Sequence, residues 1–156
     1  MIFIEDNCDI FNIDYIEKPY TLMNAVNCVG AMGKGIALEF KNRYPAMYSD
    51  YSWRCSGRGI YNCGVKLGVP YYYTDEKGTS IINFPTKYHW RDQSEFCYIT
   101  SGLELIVDKY KEWGIERLVM PAIGCGLGGL DWEDVCKEIV RILGKTDMYI
   151  ILAAPL

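Results

Sequence analysis

The chain has 156 residues, half of them apolar, with a formal net charge of −4. This length and composition indicate a globular chain with a proper core and exclude a disordered protein, and the acidic balance excludes a protein that holds nucleic acid through an overall positive field. No apolar run approaches the ~20 residues that span a bilayer, so no membrane association is expected.

The first half of the chain predicts strands alternating with helices. Residues 1–5 and 20–26 are apolar and strand-like. A helix is predicted from Lys34 to Tyr44, where Pro45 stops it, and residues 46–55 add another helical turn or two with weak periodicity.

Two further strands are predicted at 68–74 and 79–84, with the turn DEKG between them. Such a pair of strands is typical of a hairpin.

The next helix carries one apolar stripe at steps of three and four residues, which runs to Trp113. Asp92 or Ser94 is predicted to cap its start, and Gly114 ends it. The continuous apolar run at 118–120 indicates a strand covered on both faces, as in parallel sheets flanked by helices.

A last helix and strand complete the pattern. Asp131 is predicted to cap the helix, Gly144 ends it, and residues 148–156 form a final buried strand. The chain therefore predicts one α/β domain over residues 1–156, with a mixed sheet and helices on both faces. Ligands of such folds bind outside the carboxyl ends of the strands, and the turns after residues 26, 84 and 121 reach that edge.

Two glycine-rich turns stand at this edge. The first glycine loop, GAMGKGIA (30–37), precedes a helix whose N-terminus suits a phosphate, although the same pattern fits a tight strand-to-helix turn. A P-loop is excluded because Gly35 stands where Ser or Thr should follow Lys34, and Cys28 stands where the first glycine should be. The second glycine loop, PAIGCGLGG (121–129), satisfies G-x-G-x-x-G but lies too late in the chain for a Rossmann fold; it favours an anion cradle.

The two loops together predict a ligand with two phosphates between them. Asn24 and Asn27, near the first glycine loop, are candidates to bond sugar hydroxyls. Asn24 equally fits a buried amide on the strand.

The stretch NFPTKYHWR (83–91) places unusual side chains after a buried strand. A solvated turn would use Gly, Asn and Asp. The side chains of Lys87, His89, Trp90 and Arg91 are instead candidates for a site.

The seven cysteines are scattered and include no C-x-x-C pair. With one histidine in the chain they disfavour a zinc site, and we expect neither a metal nor a cofactor. We interpret the cysteines as free thiols of a reducing, cytoplasmic setting. The opening MIFIEDNC turns acidic at once and is unlike a signal peptide.

These motifs together resemble the macrodomain family, an ADP-ribose-binding fold of three α/β/α layers around a central mixed sheet. NAVN (24–27) with GAMGKG resembles the family's first loop, and PAIGCGLGG resembles the second, which wraps the diphosphate through backbone amides. CDIF (8–11) resembles the family's adenine motif, with Cys8 in place of the usual glycine. The resemblance implies that ADP-ribose contacts Asp9, Ile10, Asn24, Asn27, Gly33, Lys34, Gly35, Ile36, Pro85, Thr86, Ile123, Gly124, Cys125, Gly126, Leu127 and Gly128.

The stretch at 83–91 and the second glycine loop are most similar to DarG-type macrodomains, which remove ADP-ribose from thymidine in DNA. A related branch acts on glutamate-linked ADP-ribose and has an aspartate where this chain has Gly128. The resemblance therefore implies a hydrolase with Lys87 as the catalytic residue and a modified single-stranded DNA as substrate. His89, Trp90 and Arg91 are candidate substrate contacts, since an aromatic ring and a guanidinium suit a flipped or single-stranded base.

The chemistry of Lys87 stays open at this point. A standard glycosidase uses two carboxylates that flank the bond, and no acidic pair is evident on these loops. A lysine can form a Schiff base with the ring-opened sugar, donate a proton or stabilise developing charge. An ADP-ribose 1″-phosphate phosphatase using His89, a hydrolase of protein-linked ADP-ribose and a reader without turnover are the alternatives. We expect a monomer, and because nothing follows the last strand we expect a standalone enzyme or an excised domain.

Overall fold

The computed structural model describes residues 1–58 and 64–155. Cys63 and Leu156, which belong to the cysteine and last-strand predictions, lie outside these ranges. Six strands in the described part of the chain form one sheet in the order β1-β6-β5-β2-β4-β3. They are β1 (Ile2–Glu5), β2 (Thr21–Val26), β3 (Tyr71–Thr74), β4 (Ser80–Pro85), β5 (Arg117–Met120) and β6 (Tyr149–Ala153).

The sheet is mixed, as predicted. Four neighbouring pairs are parallel, and only the β3–β4 pair is antiparallel. The predicted hairpin is confirmed, and its turn is held by Asp75, whose Oδ1 accepts hydrogen bonds from the backbone amides of Lys77 and Thr79 at 3.0 and 3.1 Å. Because the other five strands run in one direction, their carboxyl ends meet at one edge of the sheet.

Four helices cover the two faces: α1 (Gly35–Arg43), α2 (Pro45–Ser56), α3 (Phe96–Lys109) and α4 (Trp132–Leu143). Alternate strand residues divide between two cores because successive side chains of a strand point to opposite faces. Met23 and Ile82 belong to the core under α3 and α4, whereas Leu22 and Ile81 belong to the core under α1 and α2. The three-layer prediction is therefore confirmed. No helix within the described ranges combines the length and the apolarity needed to cross a bilayer.

The helix end predicted before Pro45 is confirmed, since α1 ends at Arg43 with Tyr44 as its C-cap. The helical turns predicted at 46–55 form a full helix, α2, which begins at Pro45, runs for 12 residues to Ser56 and ends at Gly57. Proline fits this place because the first helical N–H has no partner within the helix and the fixed φ suits the helix start.

The caps of α3 also differ from the prediction. Glu95 is the N-cap, and no side chain caps the helix. Asp92 instead accepts a hydrogen bond from the backbone N–H of His89 at 3.0 Å, and the N–H of Ser94 donates to the carbonyl of Gly128 at 2.9 Å. The predicted cap of α4 is confirmed, since Asp131 accepts from the N–H of Asp134 at 3.2 Å.

Helices α3 and α4 end differently with respect to the prediction. The helix α3 stops at Lys109, so the predicted end at Gly114 was too late, and Tyr110 to Gly114 form a turn. Gly144 caps α4 as predicted.

Candidate functional site

One cavity of about 990 Å³ opens at the carboxyl edge of the parallel strands. It lies between the two glycine loops, with the segment after β4 on a further wall. Most of the predicted site residues line it: Asp9, Ile10, Asn27, Gly33, Lys34, Gly35, Ile36, Thr86, Lys87, Trp90, Gly124, Cys125, Gly126, Leu127 and Gly128. The strand-end rule therefore located the cavity correctly.

The first glycine loop leads into α1 with an open helix N-terminus. Lys34 is the N-cap but forms no side-chain capping bond, and the first turn carries no acidic residue. The leading N–H groups of a helix have no intrahelical partner and carry partial positive charge. With Lys34 beside them on the cavity wall, they can bind a phosphate.

Asn27 fastens the chain between β2 and this loop. Its Oδ1 accepts from the amide of Val29 at 3.0 Å and from the hydroxyl of Tyr51 at 2.8 Å, and its Nδ2 donates to the carbonyl of Ala31 at 2.8 Å. Asn27 lines the cavity while being buried. One Nδ2 hydrogen is left over to meet a ligand, so the residue has a structural role that the sequence did not reveal.

The second glycine loop lines the cavity and contains backbone amides without a partner in the described part of the chain. Within the turn, the amides of Cys125, Gly128, Gly129 and Leu130 donate to carbonyls of the same loop. The amides of Gly124, Gly126 and Leu127 donate no hydrogen bond to any described residue. Gly124 and Gly126 have φ of +76° and +64°, a region that favours glycine. Three free N–H groups on one lining segment form a cradle suited to an anion.

Gly128 has no room for a side chain. A Cβ built there would lie 2.6 Å from the Oγ and 3.2 Å from the Cβ of Ser94. Ser94 is buried, and its Oγ has no hydrogen-bond partner among the described residues. Ser94 therefore occupies the space that a side chain at position 128 would need.

Lys87 is held on the cavity wall by backbone pairing on both sides of it. The amide of Thr86 donates to the carbonyl of Val26 at 3.0 Å, and the amide of Cys28 donates to the carbonyl of Tyr88 at 2.8 Å. Lys87 itself is half-buried and lines the cavity. Within residues 1–58 and 64–155 its ammonium forms no hydrogen bond or ion pair, so it is available to a ligand.

The side chains after Lys87 form a cluster at the cavity mouth, which we call the mouth cluster: His89, Trp90 and Arg91. Trp90 lines the cavity, but His89 and Arg91 do not. The His89 ring lies 5.0 Å from the Trp90 ring, and the Arg91 guanidinium lies 4.6 Å from the centroid of the same ring. His89 Nδ1 accepts from the Arg91 amide at 3.1 Å, so this nitrogen is already engaged.

Three other predicted residues stand behind the cavity wall and do not line it. Asn24 is fully buried, and its Nδ2 donates to Oδ1 of Asn83 on the neighbouring strand at 3.1 Å. Pro85 is the buried last residue of β4, and Ile123 is 1% exposed in the core. The burial of Asn24 and its bond to Asn83 agree with the alternative of a buried amide, although its Oδ1 has no partner among the described residues.

The lining also includes Asp9 and the aromatic ring of Phe11. Asp9 Oδ1 accepts from the amide of Phe11 at 3.0 Å, which leaves its other oxygen to accept from a ligand amino group. Phe11 also lines the cavity, and the Arg43 guanidinium lies 4.5 Å from its ring. Asp9 and Phe11 thus offer a hydrogen-bond acceptor and an aromatic ring on the same part of the lining.

Sequence reasoning missed Phe11, Arg43 and residues 153–155, which are the last residue of β6 and the two that follow it; all of them line the cavity. The signal was available, since β1 and β6 are also parallel strands whose carboxyl ends reach the same edge. Applying the strand-end rule to all five parallel strands would have included Phe11 and residues 153–155, whereas Arg43 reaches the cavity from the last residue of α1.

The cysteines of the cavity are poor nucleophiles. Burial, with help from Asp131, raises the pKa of the Cys125 thiol to about 11, and burial raises the pKa of Cys8. Both thiols are protonated at neutral pH, and only a thiolate attacks. Within the described residues, no three His, Cys, Asp or Glu side chains cluster in a way that could hold a metal ion.

The carboxylates of the lining are Asp9 and Glu39. Glu39 forms an ion pair with Arg43 at 3.2 Å. Neither carboxylate belongs to the segment of Lys87 or to the second glycine loop, so the lining offers no acidic pair flanking Lys87.

Comparison with known proteins agrees with this geometry. The Macro domain family model matches residues 23–139. A protein named DNA ADP-ribosyl glycohydrolase from Mycobacterium tuberculosis is 47% identical over 119 residues, which are 76% of this chain and 33% of that protein. The chain thus spans about a third of the length of this curated relative.

Solved structures show the same fold. The macrodomain of Mycobacterium tuberculosis DarG aligns with a TM-score of 0.86 at 39% identity, covering 100% of this chain and 99% of that one. Thermosipho africanus DarTG, solved in complex with ADP-ribose, aligns with a TM-score of 0.79 at 38% identity, covering 87% of this chain and 38% of that one. The resemblance to DarG-type macrodomains is confirmed.

Proposed function

The chain belongs to the macrodomain family, and on that basis we propose that it is a hydrolase that removes ADP-ribose from thymidine in DNA. The name of the mycobacterial relative and the fit to the DarG macrodomain support this activity. The observation that carries the proposal is Lys87, held on the cavity wall with an unpaired ammonium.

We place ADP-ribose in the cavity in one direction. The diphosphate lies between the open N-terminus of α1 and the free amides of the second glycine loop, because both suit an anion. Asp9 and Phe11 form the adenine end. The distal ribose then lies toward Asn27 and Lys87, with its anomeric carbon near the ammonium.

The reaction replaces the bond between the anomeric carbon and the base by a bond to water oxygen. One water proton ends on the base, so atoms balance without a further reactant. Lys87 can supply a proton to the leaving base as its ammonium. As a free amine it can instead attack the ring-opened sugar and form a Schiff base that water later hydrolyses. Reduction with borohydride traps the second route as a covalent adduct and leaves no adduct in the first.

A single-stranded oligonucleotide carrying ADP-ribosyl-thymidine tests the proposal. We expect release of free ADP-ribose, and we expect Lys87→Ala to slow it by about 10²–10⁴-fold, the range for lost acid–base catalysis. Calorimetry should show that the variant still binds ADP-ribose. Lys77→Ala, in the β3–β4 turn and outside the cavity lining, is the matched control and should leave the rate unchanged. Equal rates for wild type and Lys87→Ala would refute the assignment.

We further infer a cytoplasmic setting and a monomeric substrate-binding unit. Six free cysteines in the described ranges support a reducing compartment. We infer that one copy suffices because both glycine loops and Lys87 of a single chain line the same cavity.

A further inference from the structure

We propose that Trp90 and Arg91 of the mouth cluster form the binding site for the DNA strand. Trp90 stacks on a nucleobase, and Arg91 contacts the adjoining phosphate. The inference rests on the proposed function, because it concerns the leaving side of the same reaction. It adds the residues that recognise the strand, which the ADP-ribose cavity by itself does not supply.

Trp90 is placed to meet whatever is joined to the distal ribose. It lies three residues after Lys87 and lines the cavity, yet 47% of its surface is exposed. A buried packing tryptophan would not keep so much apolar area in water. The ring therefore belongs partly to the cavity wall and partly to the exposed surface, where it can meet a base that is joined to the anomeric carbon near Lys87.

Arg91 gives this surface a positive charge. Its guanidinium lies 4.6 Å from the centroid of the Trp90 ring, and it forms no ion pair with a carboxylate of the described chain. Arg91 is exposed and does not line the cavity, so it does not serve the diphosphate inside. The guanidinium lies over one face of the Trp90 ring, so a base stacks on the part of the ring that it leaves open, and the cation itself meets a phosphate.

The turn that carries the pair is already ordered. The His89 amide donates to Asp92 Oδ2 at 3.0 Å, and the Arg91 amide donates to His89 Nδ1 at 3.1 Å. The Asp92 amide returns to the His89 carbonyl at 3.0 Å. The carboxylate of Asp92 is thus engaged with the backbone, and the ring and guanidinium are presented without a further ordering step.

Single-stranded DNA fits this surface better than a protein side chain does. Every base has a face that can stack on an aromatic ring, and stacking tolerates any sequence. A modified glutamate offers no such face and would leave Trp90 unused. The net charge of the whole chain is −4, so a phosphate contact must come from a local cation such as Arg91.

The test compares Trp90→Ala with Trp53→Ala. Trp53 is a matched control because it lies on α2, is 51% exposed and does not line the cavity. For an oligonucleotide carrying ADP-ribosyl-thymidine, Trp90→Ala should raise KM about 5- to 150-fold, the loss expected for one stacked base, with free ADP-ribose binding within twofold of wild type. Trp53→Ala should change neither value. An equal loss in both values would place Trp90 against ADP-ribose instead and overturn the proposal.

Arg91→Ala separates the phosphate contact from the stack. Its effect on KM should be several-fold larger for the oligonucleotide than for the ADP-ribosyl-thymidine nucleoside. The slope of the logarithm of the oligonucleotide binding constant against the logarithm of salt concentration should become shallower by somewhat less than one, as for one lost phosphate contact. Equal effects on both substrates would overturn the phosphate contact.

A binding measurement keeps the proposal testable if hydrolysis fails. The Lys87→Ala protein is titrated with the modified oligonucleotide and with free ADP-ribose, using fluorescence anisotropy and calorimetry. If the oligonucleotide binds more tightly than free ADP-ribose, and this difference is lost in Lys87→Ala/Trp90→Ala, the result supports the proposed DNA-binding site. Absence of ADP-ribose release by the wild type would then refute only the proposed function. Equal affinity for the oligonucleotide and free ADP-ribose refutes the DNA-binding site whether or not the wild type is active.

Discussion

Substitution of Gly128 by alanine should destabilise the protein through one neighbour, Ser94. The new Cβ would lie 2.6 Å from Ser94 Oγ, below the 3.0 Å that real Cβ atoms keep. The φ of Gly128 is outside the left-handed region, so the backbone adds no strain. Ser94 is buried and its N–H is bonded to the Gly128 carbonyl, which limits its retreat.

The magnitude follows from the packing. Overfilling a close-packed site costs about 1–3 kcal/mol, and we expect Gly128→Ala to lie in that range. Ser94→Ala removes a buried hydroxyl that has no described partner, and it should therefore stabilise by about 1 kcal/mol. In the Ser94→Ala background the cost of Gly128→Ala should fall by about 1 kcal/mol or more, because the closest contact is gone.

Urea unfolding of the two single variants and the double variant measures this coupling. Gly33→Ala is the control, since a Cβ there meets no atom within 4 Å and should change stability by less than about 0.5 kcal/mol. An equal cost of Gly128→Ala with and without Ser94→Ala would refute the steric origin of the effect. The same steric conflict should make Gly128→Asp fold poorly unless Ser94 is replaced by glycine.

Two further predictions concern the helix layer over β4. Gly102→Ala should lower the free energy of unfolding by about 1–3 kcal/mol, because a Cβ there would enter the fully buried Phe84 ring. The opposing gain in helix propensity, about 1 kcal/mol, is smaller. Urea unfolding measures the difference, and a variant as stable as wild type would contradict this. Burial raises the pKa of Glu138, but the hydrogen bond from Thr100 and the Arg141 guanidinium outweigh it and hold the pKa below its usual 4.5. The ionised Glu138 therefore stabilises the fold above the unfolded pKa, and this stabilisation is lost as pH falls through the folded pKa. Glu138→Gln should be less stable than wild type at pH 7, and the difference should shrink toward about pH 3. A difference in stability that does not depend on pH would contradict this cause.

Elements with strong hydrophobic patterning were predictable from the sequence. The central strands carry continuous apolar runs, and α4 carries a periodic stripe, because burial on two faces or one face leaves those patterns. The antiparallel β3–β4 pair followed from its turn chemistry. These signals are local, and tertiary context did not override them.

Features that depend on distant contacts were not predictable. Ser94 resembles a helix cap when only its neighbours are considered, yet its N–H pairs with Gly128 in the second glycine loop. Asn24 resembles a polar residue near a ligand loop, yet strand register places it opposite Asn83, and the two amides bond to each other. In both cases the partner is dozens of residues away, and a single sequence does not show the pairing.

The placement of Lys87 follows from the sheet more than from the ligand loops. Its segment continues from β4 and is tied by two backbone hydrogen bonds to the segment that continues from β2. The second glycine loop, by contrast, follows β5 and is ordered by its own turn and by Ser94. Changes in the second glycine loop should therefore weaken the proposed diphosphate contact without moving Lys87, and removal of the Lys87 side chain should leave that loop intact. Binding and bond cleavage should for this reason be separable by mutation in this chain, which is the condition under which the Lys87→Ala comparison is interpretable.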